Sequence, residues 1–309
     1  MTSPSRAQSF RCEGIVLRHR DAGGADRFIT LLTPDRGLVR AVARGARKTT
    51  SKIGGHLDLL RHVSLTVSEG HTFRAVGQVE GIESYRGLRE DLGRMSRGIY
   101  MAELAERFSV EDAPNPSVFR LLASALGLIE KTWDGTSARP APAQGVILSE
   151  AKNLAQSSDL ATRPATDSPT LDLLARWFEI RLLHLSGFLP RFSSCAECGR
   201  DLEQRDHVFS AERGGLLCPD CKTAGGGERL LPAGVPAIKL LRHMARSDWP
   251  AVEGLRVPPD DIAQAERILR THLRHVIDHK INSAAFMDEV RKWRNGGRRP
   301  PLPEDEVSG

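Results

Sequence analysis

Aromatic residues are scarce: ten Phe, four Trp and two Tyr make up 5% of the 309 residues, so the cores must be aliphatic. Long apolar runs are missing too. Nothing approaches the roughly 18 consecutive apolar residues that a membrane helix requires, and the opening MTSPSRAQSFRCEG has no apolar secretory core. A cytoplasmic chain with no membrane partner is expected. No GxSxG, HExxH or GxGxxG stands in a context that would give it mechanistic content. Lys48-Thr49 resembles the end of a phosphate-binding loop, but Arg47 occupies the place where glycine is needed. Nothing in this pattern argues for an enzyme.

What is present is a chain of 33.9 kDa, roughly twice the usual domain size, so two or more domains are expected. Apolar residues at 40% and charged residues at 27% exclude wholesale disorder. Lys and Arg exceed Asp and Glu by 44 − 39 = 5 charges, a mild excess whose distribution matters more than its size.

From Phe10 to about Ser84 short β-like runs (CEGIVLRH, RFITLLT, GLVRAVARGAR, VSLTVSEG, FRAVGQVEGIES) alternate with Gly, Pro and Asp breaks. Five strands in so short a segment bury their apolar side chains best by closing into a small barrel, of OB or SH3-like type. Helical spacing takes over after Tyr85, through Leu88, Leu92, Met95, Ile99 and Ala102. It resumes after Asn115-Pro116, a cap followed by proline at the first helical position. The Ser/Thr/Pro-rich stretch 134–170 reads as a flexible insertion, with VILSEAKNLA as a transient helix at most. Leu171, Leu174, Trp177, Phe178, Leu182 and Leu185 form the next apolar face, which Gly187 should end; helices over 236–246 and 260–280 follow, and Ser283 should cap a last one. His272, His275 and His279 share a helical face that reads as half-polar surface.

Of five cysteines, four form Cys195-Ala-Glu-Cys198 and Cys218-Pro-Asp-Cys221, nineteen residues apart. Two intervening residues let one tight turn aim both sulfurs at a single ion, and four thiolates fill a tetrahedral zinc ion completely. One structural Zn2+ in a finger spanning 191–223 is expected; a dithiol redox pair is the competing use of the same spacing. Gly214-Gly215 should close a hairpin inside the finger. Cys12 is left over and reads as a buried, inert thiol.

Positive charge gathers at Arg36, Arg40, Arg44, Arg47, Lys48 and Lys52, six cations in seventeen residues with no acidic residue between them. On a strand, Arg40 and Arg44 would share a face opposite Val39, Ala41 and Ala43. Arg47, Lys48 and Lys52 would continue that face into a glycine-rich loop able to follow a phosphate backbone. A solvated strand edge is the competing explanation. Arg18, Arg20, Arg27 and Arg74 are further cations of unassigned face.

The stretches EGIVLRHRDAGGADRFITLLTPDRGLVRAVARGAR (13–47), ESYRGLREDL and AELAERF (83–108), GFLPRFSSCAECGRDL (187–202), GGLLCPDC (214–221) and KINSAAFMDEV (280–290) resemble the bacterial recombination-mediator family RecO. The insertion at 134–170 departs from it. The resemblance implies an α+β multidomain protein with an OB-fold barrel at 1–84 and a helical domain at 85–309 carrying the four-cysteine zinc finger. It implies a non-enzymatic, nucleoid-associated protein that binds single- and double-stranded DNA without sequence preference, anneals complementary strands, and engages RecR and the acidic tail of the single-stranded DNA-binding protein. It further implies help in loading RecA onto coated DNA. Arg40, Arg44, Arg47, Lys48 and Lys52 are the expected DNA contacts, with electrostatics outweighing stacking because aromatics are few. A zinc-stapled, sequence-specific nucleic-acid regulator is the alternative.

Overall fold

The structure is a computed structural model that describes residues 9–70, 72–132, 169–222, 229–277 and 282–294. The insertion up to residue 168, with VILSEAKNLA, lies outside these residues, as do His279 and the chain beyond 294. The chain divides into two compact units, one holding the described residues up to 132 together with 282–294, the other holding 169–277.

In the first unit, strands β1 (Ser9–Asp21), β2 (Arg27–Thr33), β3 (Gly37–Ala43), β4 (His62–Ser68) and β5 (Arg74–Glu83) close into a barrel in the order β1-β2-β3-β5-β4. All neighbours are antiparallel except β3 and β5. Closure depends on the length of β1, which pairs with β4 through residues 9–15 and with β2 through 15–21. A register shift between Val16 and Arg18 marks the bend between the two pairings. The interior is aliphatic, as the composition requires, with Val16, Ile29, Leu31, Val39, Ala41, Leu65 and Val67 buried around the axis. Cys12 is buried with them, and burial pushes its thiol up to about 11, so it stays protonated.

Helices α1 (Arg86–Arg89), α2 (Leu92–Arg107) and α3 (Pro116–Lys131) belong to the same unit. Asn115 accepts a hydrogen bond from the Val118 N–H at the start of α3, with Pro116 in its first turn, as the sequence pattern predicts. The buried face of α2 differs from the expected one. Met95 and Ile99 are half-buried, whereas Arg94, Arg97, Met101, Leu104 and Ala105 are buried. Small residues set this face: a Cβ on Gly98 would crowd Leu60, Leu88 and Leu126. The two arginines are tolerated there because Arg94 donates to the Thr132 carbonyl and Arg97 to the Gly93 carbonyl. Packing therefore groups these helices with the barrel, although the change from strand to helical spacing falls at 84/85.

The second unit holds α4 (Pro169–Leu185), a three-stranded sheet of β6 (His207–Ser210), β7 (Gly215–Leu217) and β8 (Leu230–Ala233) in the order β7-β6-β8, and helices α5 (Pro219–Lys222), α6 (Val235–Arg246), α7 (Trp249–Glu253) and α8 (Pro259–Ile277). Gly187, at φ 79°, ends α4 as expected, but Leu185 is exposed rather than part of its apolar face. Between α4 and α8, Arg176 meets Glu179 at 2.7 Å and Glu266 at 3.1 Å, all three buried. The histidines of α8 do not share one surface: His272 is buried and bonded to the Phe188 carbonyl at 2.9 Å, while His275 is exposed. The last helix, α9 (Asn282–Arg294), packs on α2 in the first unit. It begins one residue before the expected Ser283 cap.

Candidate nucleic-acid face and metal centre

Strand pairing arranges the outward face of β1, β2 and β3 in rungs. Ile15, Leu32 and Leu38 form one rung, buried although outside the barrel's core cluster, on the side where α2 meets β1 and α3 meets β2. Arg18, Thr30 and Arg40 form the next, and Arg20, Phe28 and Val42 the one beyond. The face thus grades from apolar and covered to cationic and exposed within three strands.

Not every predicted cation is available there. Arg40 is exposed on β3 but meets Glu111 at 3.1 Å. Arg47 meets Asp21 at 3.3 Å and donates to the Gly24 carbonyl. Arg44, Lys48 and Lys52 are exposed and have no carboxylate partner among the described residues. Arg44 does not share a strand with Arg40, since β3 ends at Ala43. The segment that follows is a series of turns rather than a slack loop. The Gly45 N–H donates to Asp26 Oδ1 at 2.8 Å, the Arg47 N–H to the Ala25 carbonyl at 3.0 Å, and the Ser51 N–H to the Lys48 carbonyl at 2.9 Å. Asp26 thereby pins the cationic segment to the β1–β2 turn, a role that composition gave no sign of.

The four further arginines separate. Arg27 is buried in the barrel and faces Asp58 and Asp21, each at 3.9 Å. Arg74 is held by Glu69 and Asp112, and Arg18 by Glu106. Arg20 is exposed, its guanidinium 5.1 Å from the centre of the Phe28 ring.

In the second unit the backbone brings the two cysteine pairs together. The segment carrying the first pair runs beside β7: the Leu216 N–H donates to the Arg191 carbonyl and the Ala196 N–H to the Leu216 carbonyl. β7 leads directly into Cys218, whose N–H donates to Cys195 Sγ at 3.4 Å. Gly214 and Gly215 close the predicted hairpin; at Gly215 any Cβ would collide with Arg191. The four sulfurs lie within 4.8 Å of one another, with Cys198 and Cys218 at 3.8 Å. Tetrahedral bonds of about 2.3 Å place neighbouring sulfurs about 3.8 Å apart, so the cluster can hold one metal ion. Burial acts to raise the Cys195 thiol, but N–H groups of Cys218, Cys198 and Glu197 outweigh it and hold the thiol down at about 6, a ready thiolate. Cys221 is pushed up to about 12, chiefly by hydrogen bonding to Cys218 and then by burial. On the finger's surface Arg200 pairs with Asp220, Arg205 with Glu203 and Arg213 with Glu197, leaving little net charge for a nucleic acid.

Among the described residues no helix is long and apolar enough to cross a membrane. The fold and its two sites define a two-unit protein, a barrel with a cationic flank beside helices and a helical unit carrying a cluster of four cysteines that could hold a metal ion. The chain belongs to the recombination protein O family. The N-terminal model of that family matches residues 7–85, and the C-terminal model matches 89–141 and 165–285. Residues 142–164, inside the expected insertion, stay unmatched between those two segments. A protein named DNA repair protein RecO from Roseiflexus sp. (strain RS-1) is 34% identical over 93% of this chain and 88% of its own length. Relatives of the same name from Dehalococcoides mccartyi (strain ATCC BAA-2266 / KCTC 15142 / 195) and Bifidobacterium animalis subsp. lactis (strain AD011) are each 30% identical, over 94% and 90% of this chain and 99% of their own lengths.

Proposed function

We propose that the chain is a recombination mediator in DNA repair that works by binding and positioning DNA rather than by bond chemistry. Three exposed cations carry this reading: Arg44, Lys48 and Lys52 stand on a pinned segment beside the outward face of the barrel, without carboxylate partners among the described residues. Residues 1–84 act as an OB-type DNA-binding domain, in keeping with the barrel's strand order and its parallel β3–β5 closure. Arg40 and Arg47 join the contact once phosphates compete with Glu111 and Asp21 for them. Because the contacts are ionic, binding extends to single- and double-stranded DNA without sequence preference, and neutralising two strands at once promotes their annealing.

The four cysteines hold Zn2+, whose thiolate shell leaves no open position and therefore staples the finger instead of catalysing. Residues of the helical region serve protein partners, RecR and the acidic tail of the single-stranded DNA-binding protein, and through them the loading of RecA. Titration of labelled random and poly-pyrimidine single strands across a salt series, followed by an annealing assay, tests the proposal. Salt-steep, sequence-tolerant binding with faster annealing supports it. Strong selectivity for one sequence would instead favour a zinc-stapled regulator.

A further inference from the structure

Two phenylalanine rings meet on the outside of the barrel. Phe28 is on the outward face of β2, half-buried, and Phe73 reaches it from the turn before β5. The rings meet edge to face, with centroids 5.2 Å apart and planes at 71°. Phe73 is 58% exposed, the one exposed aromatic side chain among the described residues of the barrel unit. Such exposure stands out in a chain with 5% aromatics. Arg20 lies over the Phe28 ring, its guanidinium 5.1 Å from the ring centre.

The surroundings select the occupant. Arg20, Phe28 and Val42 form one rung, and Arg18, Thr30 and Arg40 form the next, roughly 7 Å away along the strands. The carboxylates nearby are engaged by arginines: Glu106 by Arg18, Glu111 by Arg40, Glu69 and Asp112 by Arg74, and Asp21 by Arg47. Arg20 is exposed and has no carboxylate partner among the described residues, so an apolar protein surface would have to desolvate it, whereas a polyanion with flat apolar rings satisfies the guanidinium and the phenylalanines at once. Bases in a duplex keep their faces covered by neighbours, so only an unpaired base can offer one.

We infer that Phe73, braced by Phe28 and flanked by Arg20, is a stacking platform for an unpaired base of single-stranded DNA. The platform rests on the proposed DNA-binding role and adds to it a preference for single strands. It also gives the barrel a means of holding a base open for pairing with a complementary strand. Stacking thus makes a specific contribution where composition suggested that electrostatics would dominate.

The test compares a single-stranded oligonucleotide with an abasic one of equal length and phosphate number, using the full-length protein, Phe73→Ala and Phe73→Trp. Phe73 is exposed, so its replacement leaves the fold intact, which circular dichroism checks. The unaltered protein should bind the normal strand about fivefold or more tighter than the abasic strand. Phe73→Ala should abolish that difference while preserving abasic affinity and its salt slope, and Phe73→Trp should retain the difference. Equal binding of the two strands by the unaltered protein would overturn the platform while leaving the DNA-binding role in place, as would an equal loss for both strands in Phe73→Ala or no loss for either. Binding of neither strand would overturn both.

Discussion

The Arg40 guanidinium on β3 and the Glu111 carboxylate, from the segment joining α2 to α3, meet at 3.1 Å on the outside of the barrel. Glu111 also lies 3.9 Å from Arg74. The backbone holds it there, because the Leu38 N–H donates to the Val110 carbonyl and the Asp112 N–H to the Leu38 carbonyl. One carboxylate thus shields two cations on the flank assigned to DNA.

Exposed ion pairs contribute at most about 1 kcal/mol, so removing the Glu111 charge costs little stability. Glu111→Gln should raise affinity for single-stranded DNA by about two- to fivefold at low salt, with the gain fading as salt rises. Fluorescence anisotropy checks this. Unchanged or weaker binding at low salt would show that Arg40 does not face the phosphates.

Gly37 has a φ of 59°, and a Cβ built on it overlaps the carbonyl oxygens of Ala113 and Val110. Gly37→Ala should therefore destabilise the barrel unit by about 1–3 kcal/mol, through backbone strain and through displacement of the segment that carries Glu111. Urea unfolding measures it, and a change below about 0.5 kcal/mol would contradict the packing described.

His19 is buried in the barrel, and burial, aided by the Arg27 charge, lowers its pKa from 6.5 to about 4. The folded protein keeps this imidazole neutral, while the unfolded chain takes up a proton near pH 6.5. Stability present above pH 6.5 is therefore lost as pH falls towards 4, by on the order of 3 kcal/mol from this residue. His19→Gln should lose less stability than the unaltered protein between pH 7 and 4.5, as read from urea midpoints. Parallel losses in the two proteins would refute the assignment.

Full-length protein purified under reducing conditions should carry one zinc ion per chain, and Cys198→Ser should carry markedly less. Stripping the metal should speed amide exchange in β6 and β7, because the first cysteine segment is hydrogen-bonded to β7. Unchanged exchange in metal-free protein would mean that the finger does not depend on an ion.

The five strands were legible because alternation such as that of Val39, Arg40 and Ala41 leaves one face apolar, and glycine and proline mark the turns. The cysteine pairs were legible because metal spacing is local. Arg27 was not, since burial of a guanidinium depends on Asp58, which lies far away in sequence. The buried face of α2 is hard to read because hydropathy counts Arg94 and Arg97 as surface, while in the fold Arg94 donates to the distant Thr132 carbonyl and Arg97 to the Gly93 carbonyl of its own helix. The anchoring of Gly45 by Asp26 and the meeting of Phe28 with Phe73 both depend on barrel closure, which no window of sequence displays.

The role of the barrel turns on Arg44, Lys48 and Lys52, and the most direct measurement is the salt dependence of single-stranded DNA binding by the protein with all three changed to Glu, set beside the unaltered protein. These side chains are exposed and make no ion pairs among the described residues, so the fold should survive the change. Removing one cation–phosphate interaction reduces the logarithmic salt slope by about 0.7, so the slope should fall by about 2 and affinity at low salt by at least about tenfold. An unchanged slope and affinity in the folded variant would contradict the assignment of DNA binding to this flank of the barrel.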